Sequence, residues 1–347
     1  MKIAIIGGGN AGMTLAAYLS NIGFDLSVYS RHFQQNQINK KLIIESTGAI
    51  SFRSTINQVS DDLKTVIDEV ELIIIAVPGY AQDEIFEQLI PLLQNDVTIC
   101  LLPDNYGSIR LKNKMQQMRS KVWSIISFNT VMFACRKLND HQVIIKGIKR
   151  EVYYHSTGEI SLGLSRFFEA FPTKFIKAKT IIEIGLSNMN PIVHTPIALL
   201  NAGLTSSSKG QFDFYQEGVT ESIANVIQQL DVERIAIGKA LGTQLASLLE
   251  NMNSVYGSKE NSLFKALTYS QVHAKDLAPK SLKSRYIYED VPYGLVPMSC
   301  LGNMIGVKTK VIDCLIVLAS TMCEIDFMRS SPINEKQLFD EVKGYIT

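Results

Sequence analysis

Two segments of the 347-residue sequence carry residues whose types and spacing could do chemistry. The first has the spacing G-x-G-x-x-G directly after the apolar run Ile3–Ile6 and before a helical pattern. In this spacing Gly7 allows a tight turn, Gly9 lets the backbone approach a pyrophosphate, and Gly12 lets helix and strand pack closely. The pyrophosphate would lie at the positive end of the helix. The residues expected to contact a dinucleotide here are Gly7, Gly9, Asn10, Ala11 and Gly12.

The second segment runs from Asn188 to Pro196 and reads as the start of a helix. Asn190 is expected as the N-cap, Pro191 as the first helical residue, and His194 in the first turn. The helix dipole there favours a neutral imidazole, which can act as a general base or, once protonated, as an acid. On local sequence alone, a capping Asn and a half-buried structural His explain the segment as well or better.

The end of the second predicted strand bears on which dinucleotide binds. Ser30 and Arg31 occupy this position, so there is no carboxylate to accept a hydrogen bond from the ribose 2′-hydroxyl. The Arg31 guanidinium could instead pair with a 2′-phosphate. Arg31 could equally be an ordinary solvated side chain. We expect NADP(H) to be preferred and NAD(H) to be accepted. Two later strand ends, which could also be simple turns, add the expected cofactor contacts Val77, Pro78 and Asn105.

Charge and cysteine usage exclude several function classes. The 34 basic and 33 acidic side chains give a net charge of +1, which predicts neither a nucleic acid nor a membrane surface as partner. Five cysteines without a C-x-x-C pair indicate a reducing, cytoplasmic setting, and no metal site is predicted. The N-terminal apolar run is too short for a signal peptide, and the runs 72–81 and 311–319 are too short to span a membrane.

These residues require elements that hold them in place. The first half alternates apolar runs with amphipathic stretches, which is typical of βαβ units and a doubly wound, mostly parallel sheet. The predicted strands are 2–6, 26–29, 72–77, 97–102 and 122–126, with 142–146 and 151–155 as a later pair. From 221 to 252 and from 311 to 322 apolar residues recur at helical spacing, and 205–210 is expected to be a loop. We predict an α/β Rossmann domain over residues 1–183 and an all-helical substrate domain over 184–347.

Three blocks of the sequence resemble the octopine/nopaline (opine) dehydrogenases. Asn188–Pro196 is similar to that family's N-x-N-P-x-x-H-x-P signature, and Glu289–Pro297 is similar to its E-D-V-P-Y-G-L-V-P block. The resemblance implies that His194 is the catalytic acid/base and that Asp290 pairs with it, and that the C-terminal domain is of the 6-phosphogluconate dehydrogenase-like kind. A third block, residues 130–136, resembles the one that closes around the keto acid. The resemblance and the local sequence together suggest substrate contacts from Thr130, Cys135, Arg136 and Asn190.

The chain also departs from the family pattern. Ser127 stands where a family Glu is expected, Asp104 where a Gly is expected, and Lys310 where a Pro is expected. These departures leave the hydride chemistry untouched and the substrate pair open.

The resemblance implies reductive condensation of an α-keto acid with an amino acid through an imine. His194 and Asp290 are expected to meet in a cleft between the domains, and substrate carboxylates could be received by Arg136, Asn105 and the amides around Asn190. A homodimer is compatible with this prediction. A 2-keto-acid reductase of the ketopantoate-reductase kind is an alternative, although it would want a Lys where His194 stands. A non-catalytic, nucleotide-sensing Rossmann protein is another, although it would have no reason to keep both His194 and Asp290.

Overall fold

The computed structural model describes residues 1–33, 37–93, 96–121, 123–160, 162–333 and 335–344. The chain folds into two compact units, Met1–Lys179 and Thr180–Thr347. The predicted strand start at Val122 lies outside the described residues. That residues 1–183 bind the cofactor and residues 184–347 bind the substrate stays a prediction.

The first unit is built on one mixed sheet. Its eleven strands lie in the order β11-β10-β7-β6-β5-β1-β2-β4-β3-β9-β8. The strands are β1 (Lys2–Ile6), β2 (Asp25–Tyr29), β3 (Lys40–Gly48), β4 (Phe52–Ser60), β5 (Leu72–Ile75), β6 (Thr98–Leu101), β7 (Ser124–Phe128), β8 (Phe133–Asn139), β9 (Gln142–Ile148), β10 (Glu151–Ser156) and β11 (Lys174–Lys177). The central strands β7, β6, β5, β1, β2 and β4 are parallel to one another, so the predicted Rossmann sheet is confirmed.

Apolar residues on consecutive positions of the central strands explain why both faces of the sheet are covered. Ile3 and Ile5 of β1 pack in one core cluster, whereas Ala4 and Ile6 pack in another. Because successive side chains of a strand point to opposite faces, each strand contributes to two cores. The helices of this unit are α1 (Asn10–Asn21), α2 (Leu63–Val66), α3 (Gly79–Leu89), α4 (Gly107–Gln117) and α5 (Leu162–Glu169), with a 3₁₀ turn at Ile90–Leu92.

The structure corrects the prediction for the outer strands. The predicted pair 142–146 and 151–155 does form strands, β9 and β10, but they do not pair with each other. β9 lies between β3 and β8, and β10 lies between β7 and β11. Four further strands, β3, β4, β8 and β11, were not predicted. In β3 the buried residues Leu42, Ile44 and Ser46 alternate with exposed ones, which is the pattern of a strand with one covered face.

Among its described residues, the second unit consists of helices and one isolated β-bridge between Asp213 and Leu277. Its helices are α6 (Ile181–Leu186), α7 (Asn190–Leu200), α8 (Ala202–Ser208), α9 (Glu221–Ala240), α10 (Leu248–Tyr256), α11 (Leu263–Thr268), α12 (Arg285–Tyr288), α13 (Val296–Ile305), α14 (Lys310–Cys323), α15 (Phe327–Ser330) and α16 (Glu335–Val342), with a π-helical turn at Val291–Leu295. The predicted helical domain is confirmed. Within the described residues, none of the helices combines the length and the apolar character needed to cross a membrane.

One local prediction in this unit is wrong. The segment 205–210 was expected to be a loop, yet most of it belongs to α8. Ser206 and Ser208 donate their hydroxyls to the carbonyls of Ala202 and Leu204, four residues back, which satisfies these side chains inside a helix. The helical pattern 221–252 is two helices, because the chain turns at Gly242 with a φ of +70°.

Candidate active site

The glycine segment forms a tight loop between β1 and α1 in which a side chain would not fit at Gly7 or Gly12. Gly7 has a φ of +132°, and a Cβ on it would overlap the Ala76 carbonyl. A Cβ on Gly12 would overlap the Gly7 carbonyl oxygen. By contrast, a Cβ on Gly9, the N-cap of α1, would meet no described atom within 4 Å. The open side of the loop therefore lies at Gly9 and the helix amides, as a site for a dinucleotide pyrophosphate requires.

Strand β8 holds this loop from the side. The backbone N–H of Lys137 donates to Asn10 Oδ1 at 2.9 Å, and Lys137 Nζ donates to the Gly8 carbonyl at 2.9 Å. Cys135 Sγ lies 3.6 Å from the Asn10 carbonyl oxygen, so the Cys135 thiol, predicted as a substrate contact, lies beside the glycine loop and Ala11. Lys137 belongs to this site, although no motif in the sequence singles it out.

The end of β2 brings Ser30 against the glycine loop. A Cβ on Gly8 would lie 2.5 Å from Ser30 Oγ, so only glycine fits between them. Arg31 is about half exposed, and its Nη1 lies 2.7 Å from Glu84 Oε1 of α3. Any 2′-phosphate at Arg31 would therefore share its guanidinium with a carboxylate.

The two other predicted cofactor segments follow β5 and β6. Val77 Cγ1 lies 3.2 Å from where a Gly7 Cβ would be, which places Val77 at the glycine loop. Pro78 is the N-cap residue of α3. Asn105 is buried and left-handed, with a φ of +49°. These positions lie at the carboxyl edge of the parallel strands, where ligands of open α/β sheets bind.

Three of the predicted substrate contacts lie in the segment 130–136. Thr130 Oγ1 accepts a hydrogen bond from Lys149 Nζ at 2.5 Å. Arg136 is exposed, whereas its neighbour Cys135 faces the glycine loop, because adjacent residues of β8 point to opposite faces. The roles of Thr130, Cys135 and Arg136 toward a substrate stay predictions.

In the second unit, the structure brings His194 and Asp290 together. His194 Nδ1 lies 2.8 Å from Asp290 Oδ2, and each residue is 6% exposed. His194 Nε2 lies 3.1 Å from the hydroxyl of Tyr215. Both ring nitrogens of the imidazole are therefore hydrogen-bonded inside this unit.

The start of α7 differs from the prediction by one position. Asn190 is the first helical residue and not the N-cap, and its N–H donates to Asn188 Oδ1 at 3.1 Å. His194 is then the fifth residue of α7 and lies beyond the first turn. Since the effect of a helix dipole fades within one turn, Asp290 rather than the helix end is the main polar partner of Nδ1. Asn190 remains partly exposed, as a substrate contact would need.

Two contacts hold the segment around Asp290 against α7. A Cβ on Gly294 would overlap the Pro191 ring, so glycine lets the π-helical turn approach the start of α7. Thr195 Oγ1 donates to the Tyr286 carbonyl at 3.3 Å, which ties α12 to the same helix. The P-Y-G part of the sequence block thus serves to position Asp290.

Three further residues belong to this site although the sequence does not single them out. Tyr286 packs against the imidazole with ring centroids 4.3 Å apart, and the Arg285 guanidinium lies 5.6 Å from the Tyr286 ring centroid. Arg285 precedes Asp290 by five residues, so the block itself could have drawn attention to it. Tyr215 lies 21 residues from His194 without any recognisable motif. Nothing in the sequence could have found Tyr215.

Burial controls the ionisation of the groups around the imidazole. It raises the pKa of Asp290 to about 7, and the positive charge of Arg285 opposes that rise. Burial also raises the pKa of Tyr215 well above its usual value, so this residue stays a neutral hydroxyl. An ionised Asp290 accepts Nδ1–H, which leaves the Nε2 lone pair to accept from Tyr215. Among the described residues, no group of three His, Cys, Asp or Glu side chains could hold a metal ion.

Comparison with known proteins agrees with both units. Residues 177–323 match the α-helical domain of NAD/NADP octopine/nopaline dehydrogenases, and residues 2–103 match the N-terminal domain of NAD-dependent glycerol-3-phosphate dehydrogenase. The chain is 26% identical to an opine dehydrogenase of Arthrobacter sp. (strain 1C), over 96% of this chain and 94% of that protein.

Solved structures share the fold. A structure of octopine dehydrogenase with NADH and L-arginine is similar with a TM-score of 0.78 at 19% identity, covering 100% of this chain and 98% of that one. NADP⁺-bound yersinopine dehydrogenase is similar with a TM-score of 0.74 at 16% identity, covering 100% and 97%. The helical unit therefore carries the octopine/nopaline dehydrogenase domain, and the comparisons along nearly the whole chain support an NAD(P)-dependent oxidoreductase of the opine dehydrogenase type.

Proposed function

We propose that this enzyme condenses an α-keto acid with the amine of an amino acid and reduces the resulting imine, with NADP(H) as the preferred cofactor. The observation that carries the proposal is the buried imidazole of His194, held by Asp290 at 2.8 Å beside the arginine-bearing helix α12. The relatives support the same class, since octopine dehydrogenase structures contain L-arginine or pyruvate.

The residues of the second unit supply the acid/base chemistry in this proposal. His194 takes a proton from the amine nitrogen before it attacks and returns a proton to the departing oxygen. Asp290 holds the Nδ1–H tautomer and stabilises the imidazolium, as the third member of a triad does. Arg285 receives a substrate carboxylate, because its guanidinium lies next to the imidazole stack and can form a bidentate pair.

The first unit holds the cofactor. The loop of Gly7, Gly9 and Gly12 fits a dinucleotide, since among the described residues it is open at Gly9, the N-cap of α1. The reduced nicotinamide, when bound, supplies the hydride. The NADP(H) preference rests on Ser30 and Arg31, and it requires that a 2′-phosphate compete with Glu84 for the guanidinium. A cytoplasmic location, which the free cysteines favour, is part of the same proposal.

The proposal is tested by NADPH oxidation with a panel of α-keto acids, including pyruvate, offered alone and with each of the amino acids. Consumption that requires an amine, together with a secondary-amine product identified by mass spectrometry, supports imine reduction. Consumption with keto acid alone would instead indicate a 2-keto-acid reductase. Binding of NADPH without turnover under any pair would favour a nucleotide sensor. The same assay is applied to His194→Ala. Its matched control is His141→Ala, which changes an exposed histidine of the first unit.

A further inference from the structure

The second nitrogen of the catalytic imidazole is not open to a substrate. Nε2 of His194 lies 3.1 Å from the Tyr215 hydroxyl, and Nδ1 is bound by Asp290. A substrate atom can therefore exchange protons with His194 in only two ways. It displaces Tyr215, or it works through the Tyr215 hydroxyl.

Displacement would have to break several contacts that hold Tyr215. Its backbone N–H donates to Asp213 Oδ1 at 3.1 Å, and the other carboxylate oxygen accepts from the Lys275 N–H at 2.5 Å. The phenol ring stacks on His273 with centroids 4.6 Å apart and is nearly fully buried. These contacts fix both the backbone and the ring, which favours the second path.

The chemical character of Tyr215 suits that path. A neutral hydroxyl can donate one hydrogen bond and accept another at the same time, so it can pass on a proton without changing its own charge. Burial keeps Tyr215 neutral across the physiological range. The positive charge of Arg285 acts on this hydroxyl as well, so a carboxylate paired with Arg285 would bring its substrate toward Tyr215.

We propose that Tyr215 relays protons between His194 Nε2 and the substrate, a role that rests on the proposed function. The amine nitrogen gives a proton to the Tyr215 oxygen while the Tyr215 proton moves to Nε2. The reverse transfer protonates the oxygen derived from the keto group. In total, two protons leave the nitrogen and two reach this oxygen. The oxygen departs as water when its C–O bond breaks, and the nitrogen lone pair forms the C=N bond.

The test compares Tyr215→Phe with the unchanged enzyme, using pyruvate and whichever amino acid gives the fastest NADPH oxidation with it. The phenylalanine keeps the ring and its stacking on His273 while removing the hydroxyl. We expect kcat to fall by about 10²- to 10³-fold, within the range of a proton-transfer step. The dissociation constant of NADPH should stay unchanged. Tyr269→Phe, which alters an exposed tyrosine of the same unit, is the matched control.

A proton inventory separates a relay from a positioning role. Single-turnover rates measured in mixtures of H₂O and D₂O should curve for the unchanged enzyme, because two protons move together, and should be linear for Tyr215→Phe. A linear inventory in the unchanged enzyme would overturn the relay. So would a Tyr215→Phe enzyme with kcat within about twofold of normal, which would show that substrate displaces the hydroxyl. His194→Ala distinguishes failure of the Tyr215 relay from failure of the proposed acid/base function. If His194→Ala also retains turnover, the acid/base function itself fails.

Discussion

Replacing Asp290 with Asn tests the imidazole–carboxylate pair while keeping the shape of the side chain. The pair is a 2.8 Å contact between two residues that are each 6% exposed, so water cannot substitute for the lost charge. A hydrogen bond to a charged group contributes about 1.5 to 3 kcal/mol. At about 1.4 kcal/mol per tenfold in rate, that loss alone slows a step that forms the imidazolium roughly 10- to 150-fold.

The tautomer adds a second loss. The Asn amide can donate its N–H to Nδ1, which leaves the ring proton on Nε2 and removes the lone pair that accepts the substrate proton. We therefore expect Asp290→Asn to lower kcat by about 10²- to 10⁴-fold overall. The assay is NADPH oxidation at saturating substrates, with NADPH affinity measured separately by fluorescence. Asp340→Asn, a change at an exposed carboxylate, should leave both unchanged.

Since His194 and Asp290 act as one unit, their effects should not add. His194→Ala should lose a similar factor, and the double mutant should be scarcely slower than the more damaged single mutant. A double mutant whose loss equals the product of both single losses would refute the pairing. An Asp290→Asn enzyme with kcat within about threefold of normal would refute the tautomer argument.

The pH dependence follows from the raised pKa of Asp290, about 7. The ionised carboxylate is the active form, so kcat/KM should fall as the pH drops through this value, and that acid limb should vanish in Asp290→Asn. Stability changes in the opposite sense. A carboxyl whose pKa is raised in the folded state stabilises the fold below its unfolded value, and this contribution is lost as pH rises through about 7. The free energy of unfolding of Asp290→Asn should therefore increase relative to that of the unchanged protein as the pH rises through about 7.

Three further predictions concern the first unit. Gly9→Ala should keep the melting temperature of the protein without cofactor while weakening NADPH binding. Gly12→Ala should lower the melting temperature itself, because its Cβ would overlap the Gly7 carbonyl. Equal effects of the two substitutions would contradict this geometry. Arg31→Ala should raise the KM for NADPH more than that for NADH, and the difference should correspond to a binding free energy of up to about 1.5 to 3 kcal/mol. Glu84→Gln should lower the KM for NADPH. Identical responses of both cofactors would exclude Arg31 as the phosphate partner. Cys135→Ser should retain substantial turnover and alter keto-acid preference, since no covalent step is needed, and a substrate adduct trapped on Cys135 by mass spectrometry would contradict this.

The parts of the fold that could be predicted are those whose signal is local. Strand β1 matches its apolar run residue for residue, because a central strand buried on both faces needs apolar side chains at consecutive positions. The outer strands carry a weaker signal. In β8 only Phe133 is buried and the rest is partly or fully exposed, so its identity as a strand depends on partners far along the chain. Which strands pair is likewise a non-local property, and the predicted pairing of 142–146 with 151–155 failed for that reason.

The candidate site divides in the same way. His194 and Asp290 could be expected to meet although they lie 96 residues apart, because each belongs to a block with a recognisable pattern. Tyr215 and Lys137 belong to no such block, and only the folded chain shows them against Nε2 and the Gly8 carbonyl. Arg31 shows the converse. Its type was informative, but its pairing with Glu84, 53 residues away, could not be read from the neighbouring sequence.

Two departures from the family pattern gain a common explanation in the structure. Asp104 stands where the resemblance expects Gly, and Ser127 where it expects Glu, and in the sequence they look like independent losses. β6 and β7 are parallel neighbours with Leu101 opposite Ser127, so the residues that follow β6 return beside that serine. Asp104 and Ser127 are both buried; burial raises the pKa of Asp104, and the nearby Ser127 side chain opposes that rise. Asp104 therefore places a buried carboxyl group beside position 127, where the resemblance predicts one, and we infer that the two departures are one exchange rather than two losses.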